Sequence, residues 1–288
     1  MINFLRYKII YLLISASIIL SGFFFIFKHG FHFSIDFTGG TNLKYKVNKT
    51  INKAVIKNIL NKEKIKYSEL SIENKNINIK SVPINEKQEL SVRKKIESTG
   101  KVKIDLLLFE SVGPAVGRDT VNKTIIAAIL GIIAILGYIS FAFKGFNFAL
   151  SAILALIHDL LILVGTYSMI SYFLKAEVDT LFVTAVLTTM SFSVHDTIVI
   201  FDKIREYIKI EGRKNIEYNA NKALTETMVR SLNNSMTIVF MLLSLILLGG
   251  STIRFFIVAL LIGTITGTYS SPFVATPLLV WLEKRKKT

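Results

Sequence analysis

The sequence predicts an α-helical membrane bundle of six spans, with a soluble α+β domain over 28–121 inserted between the first span and the second. Three observations point there. Long apolar runs recur along the chain; the hydrophobic period becomes that of strands and amphipathic helices only within 28–121; and the Lys and Arg of the short loops gather on alternate connections. The chain is 51% hydrophobic and only 19% charged, whereas a soluble globular domain carries about 25% charged residues.

The first element begins with Arg6 and Lys8 and continues as an apolar stretch over 9–27. It imitates a secretory signal but is too long for a signal core and lacks a small-x-small cleavage site, so it reads as an uncleaved span. The other apolar segments lie near 122–143, 147–173, 180–201, 233–250 and 255–281. At a rise of about 1.5 Å per residue, each reaches across a hydrocarbon core of about 30 Å, the fifth only just.

Charge sets the orientation. Arg6 and Lys8, Lys144, the basic residues of the 202–230 loop (from Lys203 and Arg205 to Arg230) and the tail at 282–288 all fall on one side of a six-span layout. The opposite side has Lys175, Arg254 and the long 28–121 segment, whose own charge counts little because long domains translocate regardless of it. Both termini are expected in the cytoplasm and the domain outside. The net charge of +15 is spread over many segments rather than gathered into a patch, which argues against a nucleic-acid partner. Membrane lipid is the expected surrounding.

Within 28–121 the periodicity switches repeatedly. Asn42 to Val47 alternates like a strand, and Ile51 to Leu60 carries a helical apolar face. Ile72 to Ile79 suggests a hairpin about Asn74 to Asn76, Glu86 to Ser98 is helical again, and Val102 to Phe109 is a strand. This β-α-β-β-α-β order is the ferredoxin-like, split-βαβ pattern, a fold that implies no single function.

Ionisable groups at bilayer depth are costly and therefore stand out as candidates. They are His158 and Asp159 in the third span and His195 and Asp196 in the fourth. Thr189, Ser193 and Asp196 share one helical face. The fifth span opens with a polar row of Arg230, Asn234, Thr237 and Ser244, and the sixth offers Thr264, Thr268 and Ser271. Such faces are expected to turn inward, and a carboxylate facing an Arg there is a workable element for coupling to proton flow. Gly263 and Gly267 form a G-x-x-x-G of close helix packing. Asp36, Gly39 and Gly40 after the first span, and Gly113 and Gly117 before the second, read as junction residues that serve backbone geometry.

Enzymatic readings find little support. There is no cysteine, which excludes disulfides and thiolate chemistry. Asp159 and Asp196 lack the G-x-G-D setting of an intramembrane aspartyl protease, and neither an H-E-x-x-H nor a nucleotide-binding Gly-rich loop is present. No cofactor or metal is expected.

Four separated motifs bring in a resemblance that covers essentially the whole chain. Ser34-Ile35-Asp36-Phe37-Thr38-Gly39-Gly40-Thr41, Ser111-Val112-Gly113-Pro114-Ala115-Val116-Gly117, Ser193-Val194-His195-Asp196-Thr197-Ile198-Val199-Ile200-Phe201-Asp202-Lys203-Ile204-Arg205-Glu206 and Gly267-Thr268-Tyr269-Ser270-Ser271 are similar to signatures of the SecF family. The resemblance implies an RND-like half in the bacterial inner membrane. It would work with a SecD-like subunit and a SecYEG-type channel, with YajC and YidC as further partners and unfolded exported polypeptides as clients, drawing on the proton motive force. Asp196 matches the family's membrane carboxylate implicated in proton transport, and Arg230 the Arg that opens span five. The family commonly has Asn before that carboxylate; this chain has His195. An RND-type exporter of lipids or small molecules and a non-conducting scaffold of the translocase stand as alternatives.

Overall fold

A computed structural model describes residues 4–73, 75–143, 145–213 and 215–285. Asn74, Lys144 and the last three tail residues, on which the expected turn, loop charge and basic tail partly rest, lie outside them. The chain divides into two compact units: the segment up to His32 together with the part from Ile126 onward, and Phe33–Ile125.

In the second unit six elements follow one another: β1 (Gly40–Val47), α1 (Lys53–Lys62), β2 (Tyr67–Glu73), β3 (Asn76–Ser81), α2 (Glu86–Gly100) and β4 (Ile104–Val112). The sheet order is β2-β3-β1-β4, and every neighbouring pair is antiparallel. The two βαβ units therefore interleave, each helix crossing over a strand of the other unit. Both helices start at Asn caps: Asn52 accepts from the Ala54 N–H at 2.9 Å, and Asn85 forms a reciprocal capping box with Gln88. Ile56, Ile59 and Leu60 on α1 and Val92 and Ile96 on α2 bury against Leu43, Tyr45, Ile77 and Ile79 of the central strands. Alternate burial along β3 shows that one face of the sheet carries this core.

One polar group is built into that core. Glu89 is buried, accepts from the Tyr45 hydroxyl at 3.0 Å and pairs with Arg93 Nε at 3.2 Å. Burial, and then the Glu89 carboxylate, hold the Tyr45 phenol well above the usual tyrosine range.

Among the described residues six helices are long and apolar enough to cross a bilayer. They are the first span Lys8–His29, preceded by a 3₁₀ turn at Phe4–Tyr7, the second Pro114–Ala142, the third Phe146–Leu174, the fourth Thr180–Glu211, the fifth Ile216–Leu248, and the sixth. The sixth runs from Arg254–Ser270 through a π-helical turn, Ser271–Ala275, into Thr276–Arg285. Pro272 has no N–H for an α-helical ladder, and Thr276 returns both its N–H and, at 3.0 Å, its hydroxyl to the Ser271 carbonyl.

Spans three, four and six form the centre of the bundle. The first packs on the third where Gly22 and Gly165 meet: a Cβ on Gly22 would lie 2.4 Å from the Gly165 Cα. At one end of the bundle four chain segments come together. The Leu5 N–H reaches Asn221 Oδ1 at 3.4 Å, Lys284 pairs with Glu217, Asn147 donates to Glu283 at 2.9 Å, and Arg213 Nη1 lies 3.8 Å from Glu283 Oε2.

The 202–230 stretch is not the loop expected from its charge. Helix continues to Glu211 and resumes at Ile216. The 3.6-residue period survives there although hydropathy falls: Ile204 and Tyr207 on one side and Ala220, Ala223, Leu224 and Thr227 on the other stay buried. Lys203 with Glu226 at 3.4 Å and Lys222 with Glu211 at 2.8 Å bridge the two helices across solvent-facing positions.

Candidate functional site

The fourth span carries the centre of the site. Asp179 caps its start by accepting from the Phe182 N–H at 2.7 Å. Thr189, Ser193, Asp196 and Thr197 then fall on its buried face. The sixth span approaches along Gly263 and Gly267. A Cβ on Gly263 would stand 2.3 Å from Thr189 Cγ2, and one on Gly267 would stand 3.0 Å from Ser193 Cβ and 3.1 Å from its Cα. At Gly263 an added carbon would overlap Thr189, and at Gly267 it would require Ser193 to give way by a few tenths of an ångström, so glycine at both positions favours the close approach.

Two carboxylates sit in this packing. Asp196, 7% exposed, accepts from Ser231 Oγ of the fifth span at 2.7 Å, and His195 Nδ1 stands 3.9 Å from its other oxygen. The His195 side chain is 69% exposed, so it flanks the carboxylate from outside the bundle. Asp159 of the third span is held by three groups. His158 Nδ1 lies 2.9 Å from Oδ1, while the hydroxyls of Ser193 and, at 2.6 Å, Ser270 donate to Oδ2. Nearby, Thr197 and Ser271 hydroxyls pair at 2.9 Å, and Thr268 donates to Ser235 at 2.7 Å. Ser231, Ser235 and Ser270 complete the cluster; of these only Ser270 belongs to a motif visible in the sequence, Gly267-Thr268-Tyr269-Ser270-Ser271.

The fifth span is rotated relative to the sequence expectation. Arg230, Asn234, Thr237 and Ser244 are exposed, and Ser231 and Ser235 face inward in their place. Arg230 makes no ion pair with Asp196. The cause is the amphipathic half of the helix before Arg230: its buried positions Ala220, Ala223, Leu224 and Thr227 lead by helical spacing to Ser231 and Ser235. A span taken to begin at 233 lacks those anchors. A row of exposed polar side chains on a helix of spanning length is itself informative, because lipid would leave it unsatisfied.

The junction motifs lie together in the second unit. Ser34 caps a four-residue helix, Ile35–Thr38, by accepting from the Asp36 N–H at 3.2 Å, and Asp36 is half-buried in that turn. Gly39 and Gly40 leave it with φ of 71° and 136°, values that L side chains rarely adopt. The turn rests on the start of the second span: a Cβ on Gly117 would lie 3.0 Å from the Gly39 N and 3.1 Å from the Phe37 O. A Cβ on Gly113 would meet nothing within 4 Å, so close approach here belongs to Gly117. Thr41 and Ser111 hydroxyls, 2.8 Å apart, tie β1 to β4 beside the turn.

These features coincide with what comparison finds. The family described as protein export membrane protein SecD/SecF, C-terminal, matches residues 91–285, and the SecD/SecF GG motif matches 24–51. The protein translocase subunit SecF of Thermobaculum terrenum is 38% identical over 99% of this chain and 95% of its own length. The chain belongs to the SecF family. The SecF subunit of Sebaldella termitidis is 34% identical over 99% of this chain and 93% of its own. The crystal structure of SecDF from Thermus thermophilus, a translocon-associated membrane protein, aligns with a TM-score of 0.85 at 28% identity. It covers 99% of this chain, which spans 39% of that longer chain. This SecF-family chain is thus a multi-pass membrane protein of the Sec translocase, and its GG motif is the Gly39-Gly40 turn seated on Gly117.

Proposed function

We propose that this chain is a non-enzymatic accessory subunit of the Sec export machinery that uses the proton motive force together with a SecD-like partner. Asp196 is its proton-exchanging group, with His195 and Arg230 acting beside it. The observation that carries the reading is a carboxylate at span depth held by one neutral hydroxyl, that of Ser231, in a position where an ionisable group is costly. Arg230 stands next in sequence to Ser231 on the exposed polar row. A partner half covering that row would enclose His195 and Arg230 with the carboxylate, and Arg230 would favour the ionised form in one arrangement and withdraw in another. The SecDF chain, of which this chain spans 39%, carries further sequence that could supply such a half.

The domain at 28–121 is read as a ferredoxin-like external domain that contacts exported, unfolded polypeptides, and the membrane as the bacterial inner membrane. The gathering of Leu5, Arg213, Glu217 and Lys284 at one bundle end supports placing both termini in the cytoplasm with the fourth-to-fifth turn. A SecYEG-type channel, with YajC and YidC, completes the assembly.

The test is export of a slow substrate into membrane vesicles, with and without an imposed proton gradient. Asp196→Asn is expected to insert and assemble normally and to lose the response to the gradient, since the amide keeps the shape but cannot titrate. An Asp196→Asn protein that responds as the parent does would replace coupling with a scaffold role.

A further inference from the structure

The proton-coupling reading leaves one buried titratable pair unused. Asp159 Oδ2 already accepts from two hydroxyls, those of Ser193 and Ser270, while Oδ1 faces the His158 imidazole. Consecutive helical residues point about 100° apart, so the imidazole has folded round its own helix to reach that oxygen. The other ring nitrogen, His158 Nε2, is buried and has no hydrogen-bond partner among the described residues. A buried nitrogen left without a partner is costly in every protonation state, whether it offers a lone pair or an N–H. No simple interhelical clamp requires it.

The neighbouring spans carry titratable groups of their own: Tyr11 in the first, His195 and Asp196 in the fourth, Tyr269 in the sixth. None bonds to Asp159; the Tyr269 hydroxyl donates instead to the Tyr11 carbonyl at 2.9 Å. His158, whose Nδ1 lies 2.9 Å from Oδ1, is the titratable side chain in hydrogen-bond contact with Asp159 among the described residues.

We propose that His158 and Asp159 form a second proton-holding pair in the span core, distinct from Asp196, which is loaded through His158 Nε2. A proton arriving at Nε2 makes an imidazolium. The Nδ1 proton then passes to Asp159 Oδ1, leaving a neutral carboxylic acid and a neutral imidazole protonated at Nε2. The pair gains one proton and loses one negative charge, and the Ser193 and Ser270 hydroxyls hold Oδ2 throughout. Because those hydroxyls belong to the fourth and sixth spans, occupancy of the pair is felt where three helices meet. The inference deepens the proton-coupling reading above, but its test reads protonation of Asp159 itself rather than export.

The experiment is infrared difference spectroscopy of the full chain, reconstituted with its partner, following the carboxylic-acid C=O band through a pH titration and in deuterated water. The Asp196→Asn protein is expected to keep a titrating buried band that Asp159→Asn removes. His158→Asn puts an amide nitrogen where Nδ1 was and nothing at Nε2, so it preserves the bond to Asp159. It is expected to keep the band and slow its deuterium exchange about tenfold or more. This variant keeps the proposal open to refutation if Asp159→Asn does not fold. His158→Gln, which places its amide near Nε2, is expected to exchange faster than His158→Asn. The proposal falls if Asp196→Asn abolishes every titrating band, if the Asp159 band is constant across the titration, or if His158→Asn exchanges as fast as the parent. A failure of Asp196 as the coupling group would leave the Asp159 band in place, so the two readings fail separately.

Discussion

Ser231 Oγ donates to Asp196 Oδ2 across 2.7 Å, joining the fifth span to the fourth at a buried carboxylate. Removing that hydroxyl leaves a buried acceptor short of a donor, a loss of about 1–3 kcal/mol. Ser231→Ala is therefore expected to lower thermal stability of the assembled complex and its gradient-driven export together. Ser231→Thr, which keeps the hydroxyl, should stay near the parent in both. Equal export by the Ala variant would mean that the bond has no part in coupling.

The approach of the fourth and sixth spans yields a sharper test, because the two glycines meet different atoms. A methyl at Gly263 collides with the Thr189 side chain, whereas one at Gly267 collides with Ser193 Cβ and backbone. Either Ala substitution is expected to cost about 1–3 kcal/mol through overpacking. Thr189→Ala should relieve only part of the cost of Gly263→Ala, since it deletes Cγ2 and Oγ1 but leaves Cβ 2.4 Å from the new methyl. Thr189→Gly, which deletes all three atoms, should relieve the clash itself. Ser193→Ala should not rescue Gly267→Ala. Thermal unfolding of the single and double variants reads the difference.

Much of this arrangement was legible in the sequence, and the failures have a common origin. Thr189, Ser193 and Asp196 lie inward because hydropathy and helical period agree over the fourth span. The G-x-x-x-G at Gly263 marks a close approach because small residues at that spacing have few other uses in an apolar helix. The rotation of the fifth span is not legible in the sequence, because its register is set by Ala220 to Thr227, in a stretch whose charges resemble those of a loop. The bond between His158 and Asp159 could not be foreseen, since consecutive residues do not normally face each other on a helix. The π-helical turn at Ser271–Ala275 had one visible sign, Pro272, which by itself predicts a break rather than a widened turn.

The proposed topology rests on charge and on the ends that meet at Glu217 and Lys284. Reporters at Arg285 and Lys209 are expected to read as cytoplasmic, and one at Asn76, on β3, as external. Protection of Asn76 from protease added outside spheroplasts would overturn the layout and, with it, the external placement of the domain.

The polar pair in the domain core has its own pH signature. Tyr45 holds its proton more tightly in the folded domain than in the unfolded chain, because burial and then Glu89 disfavour the phenolate. The stability this provides is complete below the pKa of an unfolded tyrosine, about 10. It is lost as pH rises from there towards the folded value, since the unfolded chain releases the proton first. Tyr45→Phe removes the titrating group and also the 3.0 Å hydrogen bond to Glu89. The variant should be less stable at neutral pH by roughly 1–3 kcal/mol, with Glu89 left to Arg93 alone. Its stability should then fall less steeply than the parent's above about pH 10. Amide hydrogen exchange of β1 and β3 in the full chain, followed from neutral to alkaline pH and corrected for intrinsic exchange, reports both effects. Parallel alkaline losses in parent and variant would place the titrating group elsewhere than Tyr45.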